Sequence, residues 1–225
     1  VLSGRRACEE FEVDACVLDD AFQYWRLRKD LELLLVNATE PFGNGRMLPR
    51  GELREPLRGL RRADAAILTH AAWSSPEERE RIRAELLQWN PELVLAEARH
   101  VPLGLRDHAT GEAVDIAELA AGRWLALSAL GQPESFERTL RELGCVQFNP
   151  AHFKDHHRYT REEVAELEQR VRSARMAGIV TTEKDAVKIP PEWLAGVPCR
   201  VVEIDLEFLS GREEIERLLR ERSSN

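Results

Sequence analysis

No glycine in this 225-residue chain is followed by lysine, which excludes a GxxxxGK[ST] phosphate cradle anywhere along it. Lysine as a whole is scarce: Lys29, Lys154, Lys184 and Lys188 are the four among 32 basic residues, and the others are arginine. The four cysteines, Cys8, Cys16, Cys145 and Cys199, form no CxxC pair, so neither a zinc site nor a disulfide framework is indicated. Cys16 and Cys199 sit in apolar runs and read as buried thiols, which fits a reducing cytoplasm. No run approaches the roughly 20 apolar residues of a membrane span, and no signal-peptide pattern opens the chain. A basic surplus is also missing. The net charge of −8 argues for no nucleic acid as partner. Internal repeats and low-complexity tracts are absent.

What is present is a globular composition, 43% hydrophobic and 32% charged, long enough to bury a core. Short apolar strands alternate with amphipathic helices, which indicates an α/β fold with a mainly parallel sheet. Strands are expected at Val13–Leu18, Ala65–Thr69, Leu93–Ala98, Arg123–Ser128, Cys145–Phe148, Gly178–Thr181 and Arg200–Ile204. Helices are expected at Pro76–Trp89, with Ser75 as N-cap and Pro76 at the first position, and at Pro133–Leu143, Arg161–Arg175 and Arg212–Arg222. Between Val101 and Ile116 the pattern becomes two extended segments around His108-Ala109-Thr110-Gly111, the mark of a hairpin.

The polar residues that carry chemistry stand where apolar runs stop. The run Val13–Leu18 ends in Asp19 and Asp20, and a carboxylate at such a strand end can meet Mg²⁺ or its water shell in phosphoryl transfer; an acidic turn without a ligand is the plainer reading. Pro41-Phe42-Gly43-Asn44-Gly45-Arg46 has glycines that permit tight turns and close approach of a ligand. Leu53-Arg54-Glu55-Pro56 sets a cation beside an anion at a helix start. Further on, Asp155-His156-His157 precedes a capping box, Thr160 with Glu163, where an aspartate could orient a histidine for proton exchange or simply organise the loop. Thr182-Glu183-Lys184-Asp185 follows a strand at the ligand-binding edge of an α/β sheet and also reads as a capping box. Arg58-Gly59-Leu60-Arg61-Arg62 could touch anionic headgroups or form a solvated helix face. His100 and His152 are isolated and read as satisfying local hydrogen bonds.

Together these residues resemble the tetraacyldisaccharide 4′-kinase family, the lipid A kinases of Gram-negative bacteria. The resemblance rests on Leu18-Asp19-Asp20-Ala21-Phe22-Gln23, Arg28-Lys29-Asp30-Leu31-Glu32, Phe42-Gly43-Asn44-Gly45-Arg46-Met47-Leu48-Pro49 and Leu53-Arg54-Glu55-Pro56. It continues through Ala129-Leu130-Gly131-Gln132-Pro133, Phe153-Lys154-Asp155-His156-His157-Arg158-Tyr159-Thr160 and Thr182-Glu183-Lys184-Asp185-Ala186-Val187-Lys188. The blocks stand in family order and reach nearly from end to end of the chain. Ala21 and Tyr24 replace the glycine and histidine of the family's DDGFQH, and Lys154 replaces a proline.

The resemblance implies transfer of the γ-phosphoryl group of ATP to the 4′-hydroxyl of an acylated disaccharide lipid, tetraacyldisaccharide 1-phosphate, at the cytoplasmic face of the inner membrane. It implies ATP and Mg²⁺ as cofactors, Asp19 and Asp20 for the metal, and Arg54 for phosphate charge. Glu55 falls to the metal environment, Gly43, Asn44 and Gly45 to the loop beside the phosphates, and Asp155 with His156 to the hydroxyl. It also implies a P-loop-NTPase-like sheet, with residues 1–98 as the rest of a nucleotide-binding domain, 99–122 as a hairpin linker and 123–225 as a smaller α/β domain. The family's P-loop lies upstream of Asp19, so the chain reads as the C-terminal two-thirds of a kinase, inactive alone. Two other readings remain at this point, a DHH-type phosphoesterase using Mn²⁺ at Asp155-His156-His157 and a non-catalytic remnant that binds lipid or a partner. The sequence carries no signal of oligomeric state.

Overall fold

The computed structural model describes residues 2–11, 13, 15–194 and 196–223. The chain divides into two compact units, residues 1–100 with 206–225, and residues 101–205. Two long strands, β3 (Val94–Asp107) and β8 (Cys199–Ser210), are neighbours in the sheet, and each passes from one unit into the other. The boundaries expected from the sequence lie at 98 and 122, and the compact units divide the chain after His100 and after Asp205. The hairpin segment after His100 belongs to the second unit, and the last helix returns to the first. Strand length is the cause, since a strand that runs through both units leaves no polar linker to mark a boundary.

In the first unit β1 (Leu33–Asn37), β2 (Ala65–Thr69) and the start of β3 are parallel, with Leu33 opposite Ala65 and Ala65 opposite Val94. Side chains alternate across a strand. Accordingly Ala66 and Leu68 of β2 join Val36, Ile82 and Leu86 in one core cluster, while Ala65 and Ile67 join Ala96, Ala98 and Ile215 in another. The helix α2 (Pro76–Trp89) thus covers one face of the sheet and the C-terminal helix α7 (Arg212–Ser223) the other. The expected capping box of α2 is present, with Ser75 accepting from the Glu78 amide and Glu78 from the Ser75 amide. Entry into α7 requires Gly211, at φ +77°, because a β-carbon there would lie 2.5 Å from the Leu95 carbonyl oxygen.

The N-terminal helix α1 (Leu2–Phe11) is followed by the expected Val13–Leu18 strand, and here the expectation fails. Residues 13 and 15–18 form no strand, Val17 is 99% exposed, and Cys16 is exposed rather than buried; Asp14 lies outside the described residues. An apolar run becomes a strand only when a neighbour satisfies its amides and carbonyls. Among the described residues β1 pairs with β2 alone, so its outer margin stays unpaired and residues 13 and 15–18 form no ladder with it.

The second unit repeats the three-layer plan. Strand β5 (Trp124–Ser128), buried throughout, lies between β6 (Phe148–His152) and β7 (Gly178–Thr182), and β7 pairs with β8, all in parallel. Leu125 and Leu127 pack with Val164, Leu167 and Val171 of helix α5 (Arg161–Ser173). Trp124 and Ala126 point the other way, toward Phe136 and Leu140 of helix α4 (Pro133–Glu142). The expected hairpin is formed by β3 and β4 (Ala113–Val114), and its turn is held by the Asp107 carboxylate, which accepts from the Ala109 and Thr110 amides.

Strand β6 begins three residues later than expected. Cys145 instead closes α4, its amide donating back to the Leu140 carbonyl just after Gly144 at φ +81°, a left-handed helix ending. Pro150 sits in the middle of β6, where proline is tolerated only if no ladder bond is lost. The Phe153 amide donates to Ser128 on β5, so residues of its parity face β5 and Pro150 faces away.

Replacing the fully buried Leu127 with alanine should destabilise the second unit by about 2–5 kcal/mol, from lost burial plus the cavity. Urea unfolding of Leu127→Ala against the parent chain measures this, and a change below about 1 kcal/mol would contradict the packing described.

Candidate functional site

In the first unit, Asp19 and Asp20 lie on an exposed turn, with Asp20 in the left-handed region at φ +50°. Arg54 Nη1 donates to Asp20 Oδ2 at 2.5 Å and ties this turn to the Leu53–Pro56 segment. Beside it Lys29 donates to the Ala21 carbonyl at 2.7 Å and pairs with Glu32 at 2.5 Å, an ion pair whose side chains are 9% and 16% exposed. Residues 19–25 are thereby fixed from two sides.

The third fixing point is one the sequence did not disclose. Arg62 Nη2 donates to both Glu55 carboxylate oxygens, at 2.8 and 2.9 Å, and its guanidinium lies 4.5 Å from the Phe22 ring centre and 5.4 Å from that of Trp25. It sits at the end of a 3₁₀ helix, Leu57–Arg62, whose first turn follows Pro56. Gly59 leaves room for the Glu55 carboxylate, since a β-carbon there would lie 2.5 Å from Oε2. Arg62 is thus engaged by protein groups while its side chain stays 36% exposed. Its only sequence signal is the pairing of an arginine with two aromatics and a glutamate spread over forty positions.

Gly43 and Gly45 take φ +53° and +70°, so both positions require the freedom of glycine. Asn44 braces the loop between them: its Oδ1 accepts from the Arg46 amide at 3.0 Å and its Nδ2 donates to the Arg50 carbonyl at 2.9 Å. The Gly45 amide donates to Phe42 O, the Leu48 amide to Leu53 O and the Leu53 amide to Arg46 O. This loop holds its own shape.

The second unit contains Asp155 and His156, on the loop after β6. Asp155 Oδ1 accepts from the His156 amide and from Lys184 Nζ, both at 2.9 Å, and Oδ2 lies 3.7 Å from His156 Nε2. His156 is at φ +59° with its side chain 81% exposed. His157 is spent differently, packed against Phe153 and Tyr159 with Nε2 3.0 Å from Glu163. The expected capping box of α5 is formed by Thr160 and Glu163. His152 pairs with Glu137 at 3.1 Å, and His100 lies 3.4 Å from His70.

Behind Lys184 stands a carboxylate with no exposure at all. Asp185 caps the turn after β7, its amide donating to Thr182 Oγ1, while its Oδ2 accepts from the Ala129 amide and Thr182 Oγ1 and its Oδ1 from Lys188 Nζ at 2.8 Å. The capping-box expectation is met by the Thr182 half only; the Asp185 side chain turns inward. Burial, with the negative charge of Asp185 nearby, pushes the Tyr159 phenol far up. Burial likewise pushes the Cys199 thiol up to about 12 and the Cys145 thiol to about 11, so neither is a nucleophile near neutral pH.

A family model described as Tetraacyldisaccharide-1-P 4′-kinase matches residues 1–224. The chain belongs to this family. Among its relatives, the tetraacyldisaccharide 4′-kinase of Anaeromyxobacter dehalogenans strain 2CP-C is 42% identical over 218 residues, 96% of this chain and 57% of the relative. That of Syntrophus aciditrophicus is 36% identical over 214 residues, 91% of this chain and 56% of the relative. The chain thus spans little more than half the length of these relatives. The crystal structure of LpxK from Aquifex aeolicus in complex with ATP has the same fold, with TM-score 0.65 at 24% identity, covering 97% of this chain and 61% of that one. The P-loop-NTPase-like α/β class expected from the sequence is therefore the observed one.

Among the family-matched residues, the structure joins Asp20 to Arg54 and Asp155 to His156, and it engages Glu55 with Arg62. Among the described residues no group of three or more His, Cys, Asp or Glu side chains is placed to hold a metal ion. On the Asp19-Asp20 turn Asp20 is engaged by Arg54, and Asp19 is the exposed carboxylate that would meet a Mg²⁺ whose other ligands come from phosphate and water. Asp155 is likewise engaged, by Lys184.

The hydrogen bond from Lys184 is the main reason the Asp155 carboxyl is held below the usual carboxylate range. The pair is complete above about pH 4, the range of a free aspartate, and is lost as pH falls through the lower folded value. Carboxyl-carbon NMR should show Asp155 titrating below the ordinary midpoint, and an ordinary midpoint would remove the ion pair. Arg62→Ala should cost about 1–2 kcal/mol, because its carboxylate and ring contacts are lost together. It should also expose residues 19–25 to faster amide exchange, and unchanged exchange there would contradict the clamp.

Proposed function

We propose that this chain carries the phosphate-facing and acceptor-facing residues of a kinase that moves the γ-phosphoryl group of ATP to the 4′-hydroxyl of tetraacyldisaccharide 1-phosphate, yielding lipid IVA. The observation that carries the reading is the family match over residues 1–224 together with its motif residues standing in two polar clusters, Asp20 with Arg54 and Asp155 with His156.

Catalysis of this kind is mostly positioning and charge neutralisation. Arg54 presents five N–H donors, of which Asp20 takes one; those left over are free to neutralise phosphate oxygens. Asp20 keeps that guanidinium on station, and Asp19 on the same turn faces solvent as the metal-side carboxylate. Mg²⁺, when bound, supplies further neutralisation of the phosphate charge. Glu55, held by Arg62, gives the turn a fixed negative group, and the Gly43-Asn44-Gly45 loop supplies a preshaped wall that needs no ligand to fold. In the second unit His156 accepts the proton of the attacking hydroxyl as the new O–P bond forms and ADP departs. Asp155 fixes the backbone from which the imidazole extends.

The acceptor is a lipid, so the protein works at a membrane surface, the cytoplasmic face of the inner membrane in the family reading. Among the described residues no helix is long and apolar enough to cross a membrane.

The test is ATP-dependent phosphorylation of tetraacyldisaccharide 1-phosphate by the chain, alone and with the part of the Anaeromyxobacter dehalogenans relative that lies outside the matched 218 residues. Phosphorylation by the combined preparation is expected. Arg54→Ala should lower kcat about 10²–10³-fold, and His156→Ala about 10²–10⁴-fold with little change in KM for ATP. A folded combined preparation without activity would overturn the reading.

A further inference from the structure

We propose that the turn Thr182–Lys188 is a positioning device for the Asp155-His156 loop, in which Lys184 sets the orientation of Asp155 and, through it, of His156. The inference rests on the reading above, in which His156 serves the acceptor hydroxyl.

Three loops leave the carboxyl ends of β5, β6 and β7, the edge at which parallel α/β sheets handle ligands. Loops there have no ladder to hold them and need another fixing agent. In this unit the agent is a chain of carboxylates and cations. Asp185, fully buried, binds the first loop through the Ala129 amide at 2.9 Å and its own turn through Thr182 Oγ1 at 3.0 Å. Lys188 at 2.8 Å compensates the buried charge. With the turn anchored so firmly, Lys184 projects from a fixed backbone and reaches Asp155 Oδ1 at 2.9 Å on the second loop. The first loop also runs past Asp155, since a β-carbon on Gly131 would lie 3.6 Å from Oδ2.

Oδ1 is the atom that matters. It accepts Lys184 and the His156 amide together, and that amide bond holds His156 at φ +59°, a conformation a residue with a β-carbon keeps only when its surroundings impose it. Lys184 and Asp155 are both about two-fifths exposed, and exposed ion pairs add little to stability. What the pair contributes is geometry: without Lys184 the carboxylate can rotate, the His156 amide loses its acceptor, and the imidazole loses its defined place.

Lys184→Met and Lys184→Arg separate geometry from stability. In the chain as it stands, Lys184→Met should shift Tm by no more than about 2 °C, yet move the NMR resonances of the His156 amide and imidazole and speed exchange of that amide. Lys184→Arg, which can still donate to the carboxylate, should retain them. In the combined kinase preparation Lys184→Met should lower kcat about 10–100-fold at unchanged KM for ATP, the scale of a misplaced catalytic group, and Lys184→Arg should restore most of it. Unmoved His156 resonances in folded Lys184→Met would overturn the inference. So would full activity of Lys184→Met where His156→Ala is dead. A fully active His156→Ala would overturn the reading of His156 itself and the inference with it.

Discussion

A buried carboxylate has to be answered by donors, and the polar edge of the second unit is arranged around that requirement. Asp185 has no contact with solvent and accepts from a main-chain amide, a hydroxyl and an ammonium group. Breaking such a site by removing one partner costs far more than an exposed ion pair is worth, because the remaining charge stays buried. The rigidity this creates is exported outward. From Asp185, fully buried, the chain passes through the half-exposed Lys184–Asp155 pair to His156, 81% exposed, so a stiff interior ends in an accessible imidazole.

The first unit solves the same problem with an arginine instead of a buried acid. Arg62 combines a carboxylate with two aromatic faces, an environment matched to a planar, weakly hydrated cation and poorly matched to lysine. The composition of the chain, with arginine making up nearly all its cations, is consistent with that use. Arg54 and Arg62 occupy neighbouring segments yet do opposite things: one locks protein to protein, the other keeps most of its donors facing solvent.

Much of the fold could be read before any coordinates, because its signals are local. The α2 and α5 helices announce themselves by a hydroxyl followed three residues later by glutamate, and β2, β5 and β7 by unbroken apolar runs between turn residues. The misses were non-local. Val13–Leu18 has a strand's composition but its described residues form no ladder with any strand, and the start of β6 was displaced by reading Cys145 as strand when its amide belongs to a helix ending. In the site, the family motif pointed to Asp20, Arg54, Asp155 and His156 one at a time. That Asp20 meets Arg54 34 positions away, or that Lys184 meets Asp155 across 29, depends on tertiary structure that no window of sequence contains. The contacts of Arg62 were hidden for the same reason: its three partners lie in segments that are adjacent only after folding.

Two strand edges end the described sheet order, and they are unequal templates. On β6, Pro150 faces away from β5 and removes one donor from the middle of that margin, so a foreign strand finds a gap where it needs a bond. On β1, Glu32 and Ala38 engage the β2 segment, which by parity turns the amides of Leu33 and Leu35 outward, beside side chains 37% and 62% exposed. That margin has no proline and is apolar. Within the described sheet, then, the β1 margin presents an unbroken row of outward amides, while the β6 margin is interrupted at Pro150.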